Sequence, residues 1–461
     1  MNRLLAIVGA ICVCKSTVAG ETNASLATVA MLQRAVQVVP APRQLAWQQR
    51  EVEVFFHFGL NTMTQQEWGS GKESAALFNP KKLDAGQWCS AAKLIGAQGV
   101  VLVCKHHDGF CLWPSATTDY SVRNSPWREG KGDLVRELSE ACRAAGMKFG
   151  VYLSPADRHQ PSFGTPAYND VYRAQLRELL TGYGEISEVW MDGAFPDGKA
   201  ETVDFPSFYR LVRELQPNAV IVSKGPDVRW VGNEGGSARE AEWNVVPLAT
   251  DPEHFSWPNM QGRNLGGRDV IQNATHLYWY PAVANLPLDF DWFWDPQSEK
   301  RVKSLHDLQK IYELSVGRNA GLLLNLAPNR EGLIPGSDVS ALQSFGRWIT
   351  DSFGTNLVEG VVAERSTDST GNTEIVYRLP RPRYVTTLMV GEDITQGQRV
   401  ESFKVDLLDA DKWHQCGQGS TIGWKRLVRW QPQRAEAVRI RITGTRADPR
   451  LRFAGLYAAK W

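Results

Sequence analysis

Apolar and polar positions follow one regime from about residue 50 to Ser344 and another beyond it. In the first, apolar runs of strand length recur at Val52 to Phe58, Gly99 to Cys104, Lys148 to Leu153, Glu188 to Met191, Ala219 to Ser223, His276 to Tyr280 and Gly321 to Leu326. Between several of them, apolar residues repeat near helical spacing over Asp84 to Ile95, Asp133 to Ala145, Asp170 to Tyr183, Phe205 to Leu215 and Ser298 to Asn319. Some of these stretches open on a side chain suited to N-capping. Strands without a polar face need cover on both sides, which a parallel sheet wrapped in helices provides. Seven such repeats, with no Gly-rich dinucleotide loop after the first strand, predict a closed (β/α) barrel rather than an open doubly wound sheet.

Beyond Ser344 the runs are short and alternating: Glu374 to Leu379, Tyr384 to Val390, Phe403 to Leu408, Trp424 to Trp430, Ala437 to Thr443 and Leu451 to Tyr457. Gly, Pro, Asp and Asn separate them, which predicts a β-sandwich. Exposed aromatics on it would suit carbohydrate, but a structural cap on the barrel is the commoner role. The N-terminus has the form of an export signal, with Arg3, an apolar stretch from Leu4 to Cys14 and small residues at Thr17-Val18-Ala19. That stretch is too short to span a bilayer, and no pattern before Cys12 or Cys14 supports a lipid anchor. The expected organisation is a signal over 1–19, a barrel over 30–343 and a sandwich over 344–461, in a protein destined for the periplasm, the outside or a lysosome-like compartment.

Composition narrows the partners. A chain of 461 residues exceeds one ordinary core, in keeping with two domains. With 51 basic and 50 acidic residues and no basic stripe, nucleic acid and membrane surfaces are excluded as expected partners. The 17 Trp often sit beside polar residues, as in Glu67-Trp68, Arg229-Trp230, Glu242-Trp243 and Asp291-Trp292-Phe293-Trp294, a pairing that suits a sugar. Outside the signal, Cys89, Cys104, Cys111, Cys142 and Cys416 leave an odd count, so at least one thiol is free, and core packing is the expected role of most.

Chemistry gathers where the predicted strands end. Strand one leads to His57-Phe58-Gly59, strand two to Lys105-His106-His107-Asp108-Gly109-Phe110, strand three to Tyr152-Leu153-Ser154 and strand four to Trp190-Met191-Asp192-Gly193. An Asp-Gly pair alone makes a turn. At the end of a barrel strand, however, Asp192 projects toward the site and is the candidate nucleophile. His57, His106, His107 and Asp108 could also supply metal ligands. Neighbouring strand positions point to opposite faces, so both His106 and His107 would reach one ion only if the strand had already turned. No metal and no cofactor are expected. A nucleophilic carboxylate needs a second acid to protonate the leaving oxygen and later activate water. Glu234, in the glycine-flanked loop after strand five, is the choice, with Asp227, Glu240 and Glu242 as the other acids nearby, and Trp230 could exclude water there.

Together, His57-Phe58-Gly59, Glu67-Trp68-Gly69, the Lys105 to Phe110 segment, Trp190-Met191-Asp192-Gly193 and Trp230-Val231-Gly232-Asn233-Glu234 resemble glycoside hydrolase family 29, the retaining α-L-fucosidases. The resemblance runs from about Ala46 through Pro328. It implies Asp192 as nucleophile and fucose contacts from His57, Glu67, Trp68, His106, His107 and Tyr152, with Trp190 nearby. It also implies an aromatic wall from Trp292, Phe293 and Trp294, of which Trp294 is taken as a binding residue. The Gly-Pro-Asp-Val-Arg-Trp and Gly-Asn-Glu segments look like the branch that cleaves α-1,3 and α-1,4 fucosides, where the Glu of Gly-Asn-Glu is acid/base; that role falls on Glu234. The expected partner is a fucosylated oligosaccharide or glycoconjugate. Two other readings remain open here: a carbohydrate-binding protein without catalysis, and a metal-dependent hydrolase using the histidines.

Overall fold

Val52–Phe56 (β1) and Gly99–Lys105 (β2) are buried at every position, because one face of each meets the barrel interior and the other meets outer helices. The computed structural model describes residues 29–195, 201–254 and 261–461; the export signal read over 1–19 lies outside them. Six more strands join the first two: Lys148–Leu153 (β3), Glu188–Met191 (β4), Val220–Ser223 (β5), Arg229–Trp230 (β6) and, after the separate pair Val245–Leu248 (β7) and His276–Trp279 (β8), Ala282–Pro287 (β9) and Ala320–Leu326 (β10). All eight are parallel, in the order β5-β4-β3-β2-β1-β10-β9-β6. A parallel bridge between Val222 and Val228 joins the two edges, so the sheet is a (β/α) barrel. Asp84 caps the helix Ala85–Lys93 and Asp133 caps Leu134–Ala145, each accepting first-turn N–H bonds.

Two elements differ from the periodicity. The run at 276–280 does not enter the barrel: β8 pairs antiparallel with β7, and its first three residues are exposed or half-exposed. The barrel strand is the next segment, Ala282-Val283-Ala284-Asn285-Leu286-Pro287, whose small residues and proline carry little β signal. Ala282 and Ala284 are small because they pack in a tight cluster with Val231, Ala238 and Ala320. Between β5 and β6 there is no helix. Residues 224–228 return the chain directly, with Ser223 in the left-handed region at φ 67°. Asp227 clamps this return: it accepts from Ile221 N at 2.8 Å and pairs with Arg43 and Arg213, each at 2.8 Å.

Alternation sorts the interior into layers. Phe55, Val101, Val103, Tyr152, Trp190, Val222, Val283 and Leu323 form one buried apolar cluster inside the ring. Intervening residues such as Val54, Leu102, Val151, Val189 and Leu324 belong to the outer core beneath the helices. Two positions beyond five of those interior residues stand His57, Ser154, Asp192, Asn285 and Asn325, so the period of the strand places a polar layer on an apolar one.

The C-terminal region is antiparallel. Its strands are Glu364–Thr367 (β11), Thr373–Glu392 (β12), Val400–Asp409 (β13), Lys412–Gly419 (β14), Arg426–Thr445 (β15) and Leu451–Tyr457 (β16), and they form a β-sandwich. Four of the predicted runs are halves of β12 and β15. Register shifts at Arg378/Arg383 and Val385/Thr387 bend these strands from one layer to the other. Pro380, Pro382 and Pro432 fall at the bend, where a residue without an N–H leaves the ladder at little cost. The sandwich docks against the N-terminal ends of the barrel strands. Trp424 Nε1 donates to Glu51 just before β1 at 2.8 Å, Asn319 N just before β10 donates to Lys425 O at 3.0 Å, and Leu427 N donates to Gly317 O at 2.9 Å. Among the described residues, no helix is long and apolar enough to cross a membrane. Among the described residues, Cys89, Cys104, Cys111, Cys142 and Cys416 are free, and all but Cys416 are buried.

Candidate active site

At the C-terminal ends of the strands the polar layer opens into a cavity of about 320 Å³, lined by residues from Phe55 to Trp292. Trp190 and Phe55, packed with ring centroids 5.1 Å apart, form its apolar floor. Asp192 stands on that floor with both oxygens held: Tyr152 Oη donates to Oδ2 at 2.8 Å, and Ala194 N donates to Oδ1 at 2.8 Å. Burial, and then the Asp192 carboxylate itself, push the Tyr152 hydroxyl well above its ordinary range, so it stays a donor.

Hydrogen bonding sets the histidine protonation states. Asn325 Nδ2 donates to Trp292 O at 2.8 Å, which turns Asn325 Oδ1 toward His57 Nδ1 at 2.7 Å. His57 must therefore carry its proton on Nδ1 and present Nε2 as an acceptor. Burial pulls its pKa down to about 3, against the opposing pull of Asn325 and Asp192, so the ring is neutral. Burial also lowers His106 and His107. His106 Nδ1 is buried and has no hydrogen-bond partner among the described residues. His107 Nδ1 lies 2.8 Å from Ser154 Oγ.

Both adjacent histidines face the cavity, against simple strand alternation. The β2–β3 register shifts between Val103 and Lys105, and Gly109 N closes a turn onto His106 O at 3.1 Å. The two rings lie 4.0 Å apart. Lys105 points away from the cavity, where Asp157, Tyr168 and Gln175 bind its ammonium at 2.9, 3.0 and 2.9 Å. Among the described residues, no three of His, Cys, Asp and Glu converge to hold a metal ion.

Asp108 closes this turn beneath Gly69, where an added Cβ would come within 2.7 Å of the Asp108 Cβ. Burial pushes its carboxyl up to about 8. The folded protein keeps that proton up to pH 8, while the unfolded chain loses it near pH 4, so the group's contribution to stability is lost as pH rises through that window. Asp108→Asn removes the dependence. Its melting temperature relative to the parent should gain roughly 5 °C between pH 5 and pH 8, measured by thermal denaturation.

Glu234 reaches the rim from the loop after β6. Asn233 staples that loop: its Oδ1 accepts from Gly235 N at 3.0 Å, and its Nδ2 donates to Ser237 O at 2.8 Å. Gly232 and Gly236 supply the left-handed corners at φ 103° and 68°. The three neighbouring acids are committed elsewhere and do not line the cavity. Asp227 clamps the β5–β6 return, Glu242 is fully buried against Arg229 and Arg239, and Glu240 binds Arg318 and Arg426. Glu67 faces Glu234 across the rim. Loss of solvent, then the carboxylates of Glu234 and Asp291, raise its pKa.

Asp192, Glu234, His57, Glu67, Trp68, His106, His107, Tyr152 and Trp190 thus line one cavity, and Trp294 is not among the lining residues. Trp292 takes that side, its ring 5.0 Å from His57, while Phe293 packs against His57 and His106 at 5.2 and 5.0 Å. Residues 289–295 have no regular period, so nothing in the pattern distinguished one Trp from the next. Asn285 and Lys224 also line the cavity and went unread. For Asn285 the available signal was its place two residues beyond the interior Val283.

The family model described as α-L-fucosidase matches residues 71–352. α-L-Fucosidase 1 of Arabidopsis thaliana is 37% identical over 92% of this chain and 88% of its own. Among solved structures, a glycoside hydrolase 29 family member from an unknown rumen bacterium has a TM-score of 0.82 at 37% identity, covering 92% of this chain and 78% of that one. A Ruminococcus gnavus GH29 fucosidase in complex with fucose also has a TM-score of 0.82, at 29% identity over 92% and 95%. Matched along most of its length at this level, the chain belongs to the α-L-fucosidase family, glycoside hydrolase family 29.

Proposed function

We propose that this enzyme is an exo-acting, retaining α-L-fucosidase that removes terminal fucose from α-1,3- and α-1,4-fucosylated glycans. The observation that carries the reading is one cavity lined by both Asp192 and Glu234. Asp192 attacks the anomeric carbon while Glu234 protonates the departing oxygen. Glu234 then deprotonates water, which attacks the same carbon and frees Asp192. The acceptor nitrogen of His57 and the rings of His106 and His107, all three lining the cavity, suit sugar hydroxyls, and the aromatic floor suits a methyl group. A cavity of about 320 Å³ suits one terminal sugar, and the fucose complex of the R. gnavus relative agrees with that use.

The linkage reading rests on the Gly-Pro-Asp-Val-Arg-Trp and Gly-Asn-Glu segments at 225–230 and 232–234. Export rests on the N-terminal pattern, and a more distant relative, 26% identical, is a plasma α-L-fucosidase of Rattus norvegicus. Turnover of α-1,2, α-1,3, α-1,4 and α-1,6 fucosylated oligosaccharides, followed by proton NMR before mutarotation, tests the whole proposal. The expected result is α-L-fucose as the first product, from α-1,3 and α-1,4 linkages. β-L-Fucose would overturn retention, turnover of α-1,2 or α-1,6 links alone would overturn the linkage assignment, and binding without hydrolysis would favour a carbohydrate-binding protein.

A further inference from the structure

Lys224 lies at the cavity wall and has no assigned part in the reaction. Its backbone is tied on both sides: N donates to Met191 O at 2.9 Å, and O accepts from Tyr209 Oη at 2.7 Å. The side chain crosses Gly193, the residue next to Asp192. A Cβ on Gly193 would meet Lys224 Cε at 2.1 Å and Nζ at 3.1 Å, so the glycine is what lets the ammonium lie beside the Asp192–Gly193 segment. Burial lowers the lysine pKa and the Asp192 carboxylate opposes that shift, which marks the two groups as electrostatic neighbours.

Among the described residues, the other titratable groups that interact with Asp192 carry no positive charge. Tyr152 on β3 and Tyr172 on the helix Tyr168–Gly182 are held protonated, chiefly by burial, and His57 and His107 are lowered by burial. Lys224 supplies the cation of this set.

We infer that Lys224 is a positioning residue that favours release of Asp192 from its sugar ester and so keeps the covalent intermediate from accumulating. The inference rests on Asp192 being the nucleophile. In the first step the bond from Asp192 to the anomeric carbon forms, the glycosidic bond breaks with a proton from Glu234, and the carboxylate charge disappears. In the second, water attacks, its proton passes to Glu234, and the ester bond breaks with its electron pair returning to Asp192. A fixed cation stabilises Asp192 only while it is charged. It therefore lowers the barrier to the second step and does not help the first.

The test uses p-nitrophenyl α-L-fucoside, whose good leaving group makes the second step limiting. Lys224→Met should lower kcat about tenfold, the scale of one solvent-weakened charge pair, with KM falling in parallel and kcat/KM changing less than about threefold. Intact mass spectrometry at steady state should then show a fucosyl adduct, and Lys224→Arg should restore kcat. A parallel fall of kcat and kcat/KM without adduct, or an unchanged kcat, overturns the inference. Labelling the unaltered enzyme with a 2-deoxy-2-fluoro-fucosyl fluoride and mapping the peptide separates the two readings. Label on another carboxylate removes Asp192 as nucleophile, whereas label on Asp192 with the overturning kinetics removes only Lys224.

Discussion

Asp192→Ala is expected to lower kcat by about 10⁴-fold or more on every fucoside, whether the leaving group is a sugar or an activated phenol. Activation of the leaving group does not help, because in the proposed mechanism the lost group is the one that bonds to carbon. Exogenous azide should restore part of the turnover by entering the space the carboxylate vacates. The product would then be β-L-fucosyl azide, which NMR distinguishes from its anomer. Truncation also strands the Tyr152 hydroxyl and the Ala194 N–H, both of which bind Asp192. An orphaned buried donor costs about 1–3 kcal/mol. Asp192→Asn keeps an acceptor oxygen in place and should be almost equally inactive with a melting temperature nearer the parent's. Activity above a hundredth of the parent in both variants would remove Asp192 from the role.

Asp192 was legible in the sequence for a reason that also marks the limits of such reading. Trp190 faces the barrel interior, and the period of two then carries Asp192 to the same face one layer higher. The same rule points to His57 from Phe55 and would have pointed to Asn325 from Leu323, but an asparagine draws no attention unless its partner is known. His106 and His107 could not both be placed by alternation, since the β-bulge that turns them inward has no local signature. The Ala-rich β9 was hidden because tight packing in the ring, rather than β propensity, selects its residues, and β6, two residues long, is too short to show a period. Lys224 in Ser223-Lys224-Gly225 has the composition of a solvated turn, and only the fold brings its side chain across Gly193.

Glu234→Ala should respond differently to the leaving group, and that difference is what identifies an acid/base. On an α-1,3- or α-1,4-fucosylated oligosaccharide the departing sugar oxygen needs a proton, so kcat/KM should fall by about 10²–10⁴-fold. On p-nitrophenyl α-L-fucoside the leaving group needs none, and the fall in kcat/KM should be small. Azide should accelerate the second step and give α-L-fucosyl azide, the opposite anomer to that from Asp192→Ala, because it attacks the intermediate from the face that water uses. Glu67 is the competing carboxyl: it lines the same cavity, and its pKa is raised by loss of solvent and then by Glu234. A raised pKa suits an acid, but Glu67 stands beside Trp68 and His107, whose ring centroids lie 4.8 Å apart, on the side of the cavity suited to sugar hydroxyls. Glu67→Ala should therefore weaken both substrates alike and gain nothing from azide. If azide instead rescues Glu67→Ala with the α-azide as product and leaves Glu234→Ala unchanged, the two glutamates exchange roles while Asp192 keeps its own.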